Sequence, residues 1–314
     1  MTAIVFDKDV SAAANEPSVK SPPAGKISGA VADKPVATPL VGGKAAVSTS
    51  KTPGRGGEML NAVARVVLPP VIGLAVLIGI WYLATFTAGG SLPGPVQTWH
   101  AAVKLFADPF YSNGPNDQGI GWNVLSSLQR VAIGFGIAAA IGIPLGFLLG
   151  RFATLSAMVN PIISLLRPVS PLAWLPIGLL VFQKADPAAT WTIFICSIWP
   201  MIMNTAQGVM RVPSDYMNVA RVLNLSEWKI FTKILFPAVL PYMLTGIRLS
   251  IGTAWLVIVA AEMLTGGVGI GFWVWDEWNN LKVEHIIIAI FVIGIVGLLL
   301  EQMLVAIAKR FSYE

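Results

Sequence analysis

The sequence predicts an all-α integral membrane protein with six transmembrane helices, on three observations. Of 314 residues, 55% are hydrophobic and 12% charged, and the mean hydropathy is +0.71, outside the range of an ordinary soluble domain. The apolar residues fall in long runs near the ~20 residues that cross a ~30 Å hydrocarbon layer. Runs of that length favour helices over a barrel, because a helix satisfies its backbone polar groups within the segment. Third, the cations that flank the runs alternate in a way that fits one orientation. The formal net charge of +5 reads as loop charge that sets this orientation.

Residues 1–58 are rich in Ala, Pro, Gly, Ser, Lys and Val without a sustained period, which predicts a disordered tail on the cytoplasmic side. No apolar core of secretory length follows the first basic residue, so the tail is expected on the mature protein. Gly42-Gly43-Lys44 looks like the end of a phosphate loop. The first glycine of that spacing, the hydroxyl after the lysine and the preceding strand are missing. The chain is therefore expected to hold no nucleotide, other cofactor or metal of its own. The single cysteine, Cys196, lies in an apolar run and reads as packing.

Residues 59–314 form the membrane domain, with spans expected at about 67–87, 124–150, 157–182, 188–210, 239–263 and 285–307. Arg55 and Arg65 precede the first span, Arg151 follows the second, and Arg211, Arg221, Lys229 and Lys233 lie between the fourth and fifth. Lys309 and Arg310 follow the sixth. These all fall on one side, which makes both termini and the 211–241 loop cytoplasmic.

On the opposite side, Val96, Trp99, Val103 and Phe106 share a helical spacing that predicts a short interfacial helix, with His100 at headgroup level. Tyr111 to Asn116 reads as turn. GGVGIGFWVWDEWNN, from Gly266 to Asn280, combines a tryptophan cluster with closely spaced glycines. Two readings stand: an interfacial aromatic belt, or an external gate built on Gly269, Trp273 and Trp275, since the glycines permit a re-entrant backbone. His285 reads as interfacial.

Arg130, Arg167, Arg248 and Glu262 fall inside predicted spans, where a charge costs on the order of 2.5 kcal/mol or more and should not face lipid. Arg167 lies in LLRPVSPLAWLP, whose prolines remove amide donors and predict a broken third span. The three arginines either line a substrate pathway or tie helices together. Glu262 is expected to pair with Arg130 as a structural contact. Asn204 is expected to bond between helices.

The 211–241 segment, RVPSDYMNVARVLNLSEWKIFTKILFPAVLP, predicts two short helices. Ser214 is expected to cap the first, Asn224 to take a left-handed turn, Ser226 to cap the second, and Pro237 and Pro241 to stop it. Such a helix-turn-helix sometimes reads DNA, but the apolar neighbours pin it to a membrane face, and no nucleic-acid partner is expected.

This segment resembles the EAA loop of permease subunits of ATP-binding-cassette importers. Asn218-Val219-Ala220, Asn224, Ile234 and Phe236-Pro237 stand at its positions, with Asn218 for the usual acid, Asn224 for the glycine and Phe236 for the leucine. The resemblance covers about residues 60–312. SLQR (127–130), LRP (166–168) and AAEM (260–263) resemble the branch that carries nitrate, bicarbonate, sulfonate and taurine. The longer stretches 129–146, 197–209, 266–280 and 295–301 look most like its nitrate and bicarbonate members.

The resemblance implies a type I importer permease fold with a cytoplasmic coupling-helix loop in a bacterial inner membrane. Two copies of the chain would form the pathway, and an external binding protein would deliver the anion. Two separate ATPase subunits would bind ATP and Mg. Nitrate, with nitrite beside it, is the expected substrate; bicarbonate and sulfonate or taurine are alternatives, and an ion-gradient transporter is the rival class. Tyr216, Val219, Leu223, Trp228 and Phe231 would fill a groove on the ATPase while Arg221, Lys229 and Lys233 meet its rim.

Overall fold

The computed structural model describes residues 55–87, 92–115 and 117–311. The phosphate-loop look-alike and the tail up to residue 54 lie outside the described residues. The last residues assigned to the tail, 55–58, belong to the first helix, α1 (Arg55–Thr87). Residues 61–314 form one compact unit, and the described residues of that unit carry no strand beyond an isolated Ser112–Gln118 bridge.

After α1 come α2 (Pro95–Leu105), α3 (Ile120–Arg151), α4 (Ala153–Leu166), α5 (Pro171–Phe182) and α6 (Ala185–Met210). Then follow α7 (Ser214–Val222), α8 (Glu227–Ile230), a π-helical turn (Phe231–Leu235), α9 (Phe236–Thr265), α10 (Ile270–Asn279) and α11 (Val283–Phe311). Five helical stretches are long and apolar enough to cross a membrane alone. The expected third span departs from a straight crossing: α4 and α5 bend by 99° at Arg167–Ser170, and they make a sixth crossing only as a pair. Pro168 and Pro171 supply no amide donors there, so the i to i−4 ladder cannot continue.

α6 is the hub, with more than half of its apolar stretch buried, and α3 and α9 flank it. Close approach of α3 comes from small residues at four-residue spacing, Gly134, Ala138, Gly142, Gly146 and Gly150, which form one face. A Cβ at Gly146 would stand 2.6 Å from the Thr205 Cβ and 2.8 Å from the Ile202 carbonyl, so the two backbones meet without side chains between them. Ser250 on α9 donates to the Ser197 carbonyl on α6 at 2.7 Å. Asn204 instead donates to Pro200 O of its own helix, not across helices. That bond uses one of its two amide hydrogens within the helix.

The periphery is apolar and uncovered. No residue of Val67–Thr87 is buried; Trp81 ties α1 down by donating to the Pro93 carbonyl and packing on Phe291 of α11. Val96, Trp99 and Val103 of α2 and Phe106 at its C-cap are all at least half exposed, the surface an interfacial helix presents to lipid.

Candidate functional site

The 211–241 segment forms where α3 and α6 end and α9 begins. α7 stops in a Schellman arrangement: Asn224 takes φ 51°, Leu225 N–H donates to Ala220 O, and Asn224 N–H donates to Arg221 O. A polar side chain that tolerates the left-handed region replaces glycine there. Two capping expectations fail. Ser214 is the first helical residue, behind Pro213, and the Ser226 side chain makes no cap bond.

Pro237 and Pro241 do not end the second helix either. The π-turn admits one extra residue, with Phe236 N–H donating to Phe231 O, and the chain runs directly into α9. Pro237 thus lies inside a continuous helical stretch, directly after the π-turn.

Side-chain directions divide the loop into two faces. Tyr216, Val219, Leu223 and Trp228 are 56–72% exposed, while Ala220 is fully buried. Asn218, Arg221 and Asn224 are exposed. Phe231 turns inward, its ring 5.0 Å from Phe147 and 6.2 Å from Phe236. Ala220, Ile230 and Leu235 anchor the loop on Phe147, Val209 and Val239. The loop is therefore docked by one face and open on the other.

The three intramembrane arginines have different surroundings. Arg130 lies 2.6 Å from Glu262 and 2.7 Å from Asp186, so the expected pairing with Glu262 is present. Arg248 pairs with Glu301 of α11, a partner that sequence reading did not assign. Arg167 is exposed at the α4–α5 bend beside a cavity of about 370 Å³ lined by Ile163, Ser164, Pro168 and Met203. Its guanidinium contacts the Met203 sulfur at 3.4 Å, and among the described residues no carboxylate lies within ion-pair distance.

The 266–280 segment starts with Gly266 and Gly267 at φ 76° and 95°, a backbone that side chains disfavour. Trp273 is buried against Ile120, Ala254 and Ile270, whereas Trp275 is 43% exposed. Gly269 is extended; its need for glycine comes from the Glu262 carboxylate, which a Cβ would meet at 2.3 Å.

At the far end of α10, Glu277 is buried with Lys282 Nζ at 3.5 Å and His285 Nδ1 at 3.0 Å. The His285 ring stacks on Trp273 at 5.8 Å, so it is a packed partner of α10. Burial pushes the Glu277 carboxyl up, but the His285 imidazole and the Lys282 ammonium outweigh it and hold the group below its ordinary value. Tyr111 is pushed up by burial and by Asp117 beside it.

Five apolar spans, with the broken α4–α5 pair that carries the exposed Arg167 as a sixth crossing, make the chain a polytopic helical membrane protein. The family described as binding-protein-dependent transport system inner membrane component matches residues 142–313. The chain belongs to that family. It is 48% identical over 236 residues to the nitrate import permease protein NrtB of Synechocystis sp., covering 75% of this chain and 86% of that one. Identity is 47% over 254 residues with NrtB of Leptolyngbya laminosa, covering 81% and 91%. With the bicarbonate transport system permease protein CmpB of Synechococcus elongatus it is 45% over 239 residues, covering 75% and 86%.

Among solved structures, a chain of the inward-facing MetNI methionine ABC transporter superposes with a TM-score of 0.53 at 16% identity, covering 61% of this chain and 95% of that one. The fold is that of an ABC transporter permease.

Proposed function

We propose that the chain is the membrane subunit of an ATP-driven importer for a small inorganic anion, nitrate first and nitrite with it. The observation that carries the substrate is 47–48% identity with nitrate import permeases over 86–91% of their length. Arg167 supports it physically. The charges of Arg130 and Arg248 are matched by carboxylates, which leaves Arg167 as the strongest source of positive potential on a pathway at the broken helix. Arg248 contributes a weaker field through its half-exposed guanidinium.

Two copies of the chain enclose the pathway. Arg and Lys placement supports a cytoplasmic position for both termini and the 211–241 loop, where Tyr216, Val219, Leu223 and Trp228 meet two ATPase subunits that bind ATP and Mg. A solute-binding protein delivers the anion from the opposite side, and Trp273 and Trp275 gate its entry. ATPase closure moves the docked loops and rocks the spans between outward-facing and inward-facing arrangements.

Bicarbonate is the second reading, favoured by 45% identity with CmpB. ATP hydrolysis by the reconstituted complex, measured with nitrate, nitrite, bicarbonate and taurine, decides between them. Nitrate-stimulated hydrolysis is expected; stimulation by bicarbonate alone would transfer the assignment. Uptake driven by an ion gradient with no ATPase present would overturn the importer reading.

A further inference from the structure

Four consecutive residues, Val268 to Gly271, run from the end of the α9–α10 connection into the first turn of α10, and each has a main-chain polar group held by a side chain of α3 or α9. Arg130 donates to the Val268 carbonyl at 2.7 Å. Gly269 N–H donates to Asn123 Oδ1 at 2.9 Å and Ile270 N–H to Ser127 Oγ at 3.0 Å. Gly271 N–H donates to Glu262 Oε2 at 3.0 Å.

Glu262 is the centre of this arrangement. It is 1% exposed and also accepts from Ser127 at 2.8 Å and from Arg130 at 2.6 Å. A charge so buried persists only where it is paired and fully bonded, and part of its bonding comes from the turn itself. The fit leaves no spare room: a Cβ at Gly271 would stand 2.1 Å from the Val259 carbonyl.

We infer that Glu262, with Arg130 and Asn123, is a latch that fixes the 268–271 turn to α3 and α9, so that α10 and its tryptophans move with those helices as one lid. Glu262 is a positioning residue: it does not meet the transported anion but sets where Trp273 and Trp275 stand. Arg130 extends the latch to the start of α6 through Asp186. Movement of α3 and α9 together then carries the lid with them, whereas a rigid-body rearrangement of α3 against α9 must break the buried Arg130–Glu262 pair. The inference deepens the gating role proposed for α10 and rests on that reading.

The test uses the full complex in nanodiscs, with Cys196→Ala and a reporter cysteine at either Trp275→Cys on the lid or Trp99→Cys on α2. The rate of maleimide labelling is followed without nucleotide. Glu262→Gln and Asn123→Ala are each expected to raise labelling at 275 about tenfold and to leave labelling at 99 unchanged. Labelling at 275 within twofold of the parent in Asn123→Ala would overturn the latch, as would an equal rise at both positions. Asn123→Ala leaves the buried ion pair intact and decides the matter if Glu262→Gln does not assemble. The readout involves no anion, so failure of the nitrate assignment shows separately in the ATPase assay.

Discussion

Arg248 on α9 and Glu301 on α11 face each other across the two helices, with Nε 3.0 Å from Oε1. Both side chains are about half exposed, so the pair ties the last span to the bundle without being sealed in it. Exchange of the charges in Arg248→Glu/Glu301→Arg should restore permease yield that either single exchange lowers. The coupling from a double-mutant cycle of thermal unfolding should be on the order of 1 kcal/mol, typical of polar pairs between membrane helices. Additive single effects would show that the pair contributes nothing.

Arg167→Met should lower nitrate uptake by proteoliposomes at least tenfold, about 1.4 kcal/mol, while the complex still purifies whole. Arg167→Lys should retain an intermediate rate, because the charge remains and the planar donor fork is lost. Uptake at the parent rate in the methionine variant would remove Arg167 from the pathway.

Trp228 and Phe231 are near in sequence but should fail differently. Trp228→Ala removes a ring that is 72% exposed and stacks on Phe231 at 5.8 Å, so the permease should lose little of its unfolding temperature while co-purification with the ATPase falls. Phe231→Ala opens the cluster with Phe147 and Phe236 and should destabilise the permease itself by about 3 kcal/mol or less. Equal loss of permease stability in both variants would contradict the two-faced loop.

Gly146→Leu should prevent α3 from seating on α6, at a cost of about 1–3 kcal/mol or more through overpacking. Gly136→Ala, on the open side of the same helix with nothing near its Cβ, should be neutral. Detergent-solubilised yield and thermal midpoint measure both.

The anchorage of α10 by Glu277 should depend on acid. Its folded carboxyl titrates below the ordinary value, so its stabilisation is complete above an unfolded value of about 4.3 and is lost as pH falls through the lower folded one. Protection from hydrogen exchange at 276–285, taken relative to the intrinsic rate at each pH, should stay high from neutrality down to the ordinary carboxylate range and fall as the pH drops below it. In Glu277→Gln, protection should be low throughout and should not change across that range.

The spans and the left-handed Asn224 turn were legible because they follow from single-residue physics: apolar run length, and a side chain that tolerates positive φ. The break at Arg167 was legible from Pro168 and Pro171 for the same reason. The Arg130–Glu262 pair was foreseen from depth. Its grip on the 268–271 backbone was not, since it depends on which amides a folded turn directs at the carboxylate. Glu301 as partner of Arg248, and Glu277 as partner of His285, require knowing which helix faces lie together. The small-residue face of α3 was present in the sequence at four-residue spacing, a pattern legible as a helix contact.

The π-turn at Phe231–Leu235 has a consequence for chain phase. One surplus residue there offsets everything before it from α9 by roughly 100° and 1.5 Å relative to an unbroken α-helix. Deleting a single residue from the turn, with no change to any exposed side chain, would swing Trp228 around the axis and aim the open face of the loop away from its partner. The bearing of the loop is thus written in the count of residues between α8 and Pro237, much as the timing of two gears is set by a tooth and not by the metal.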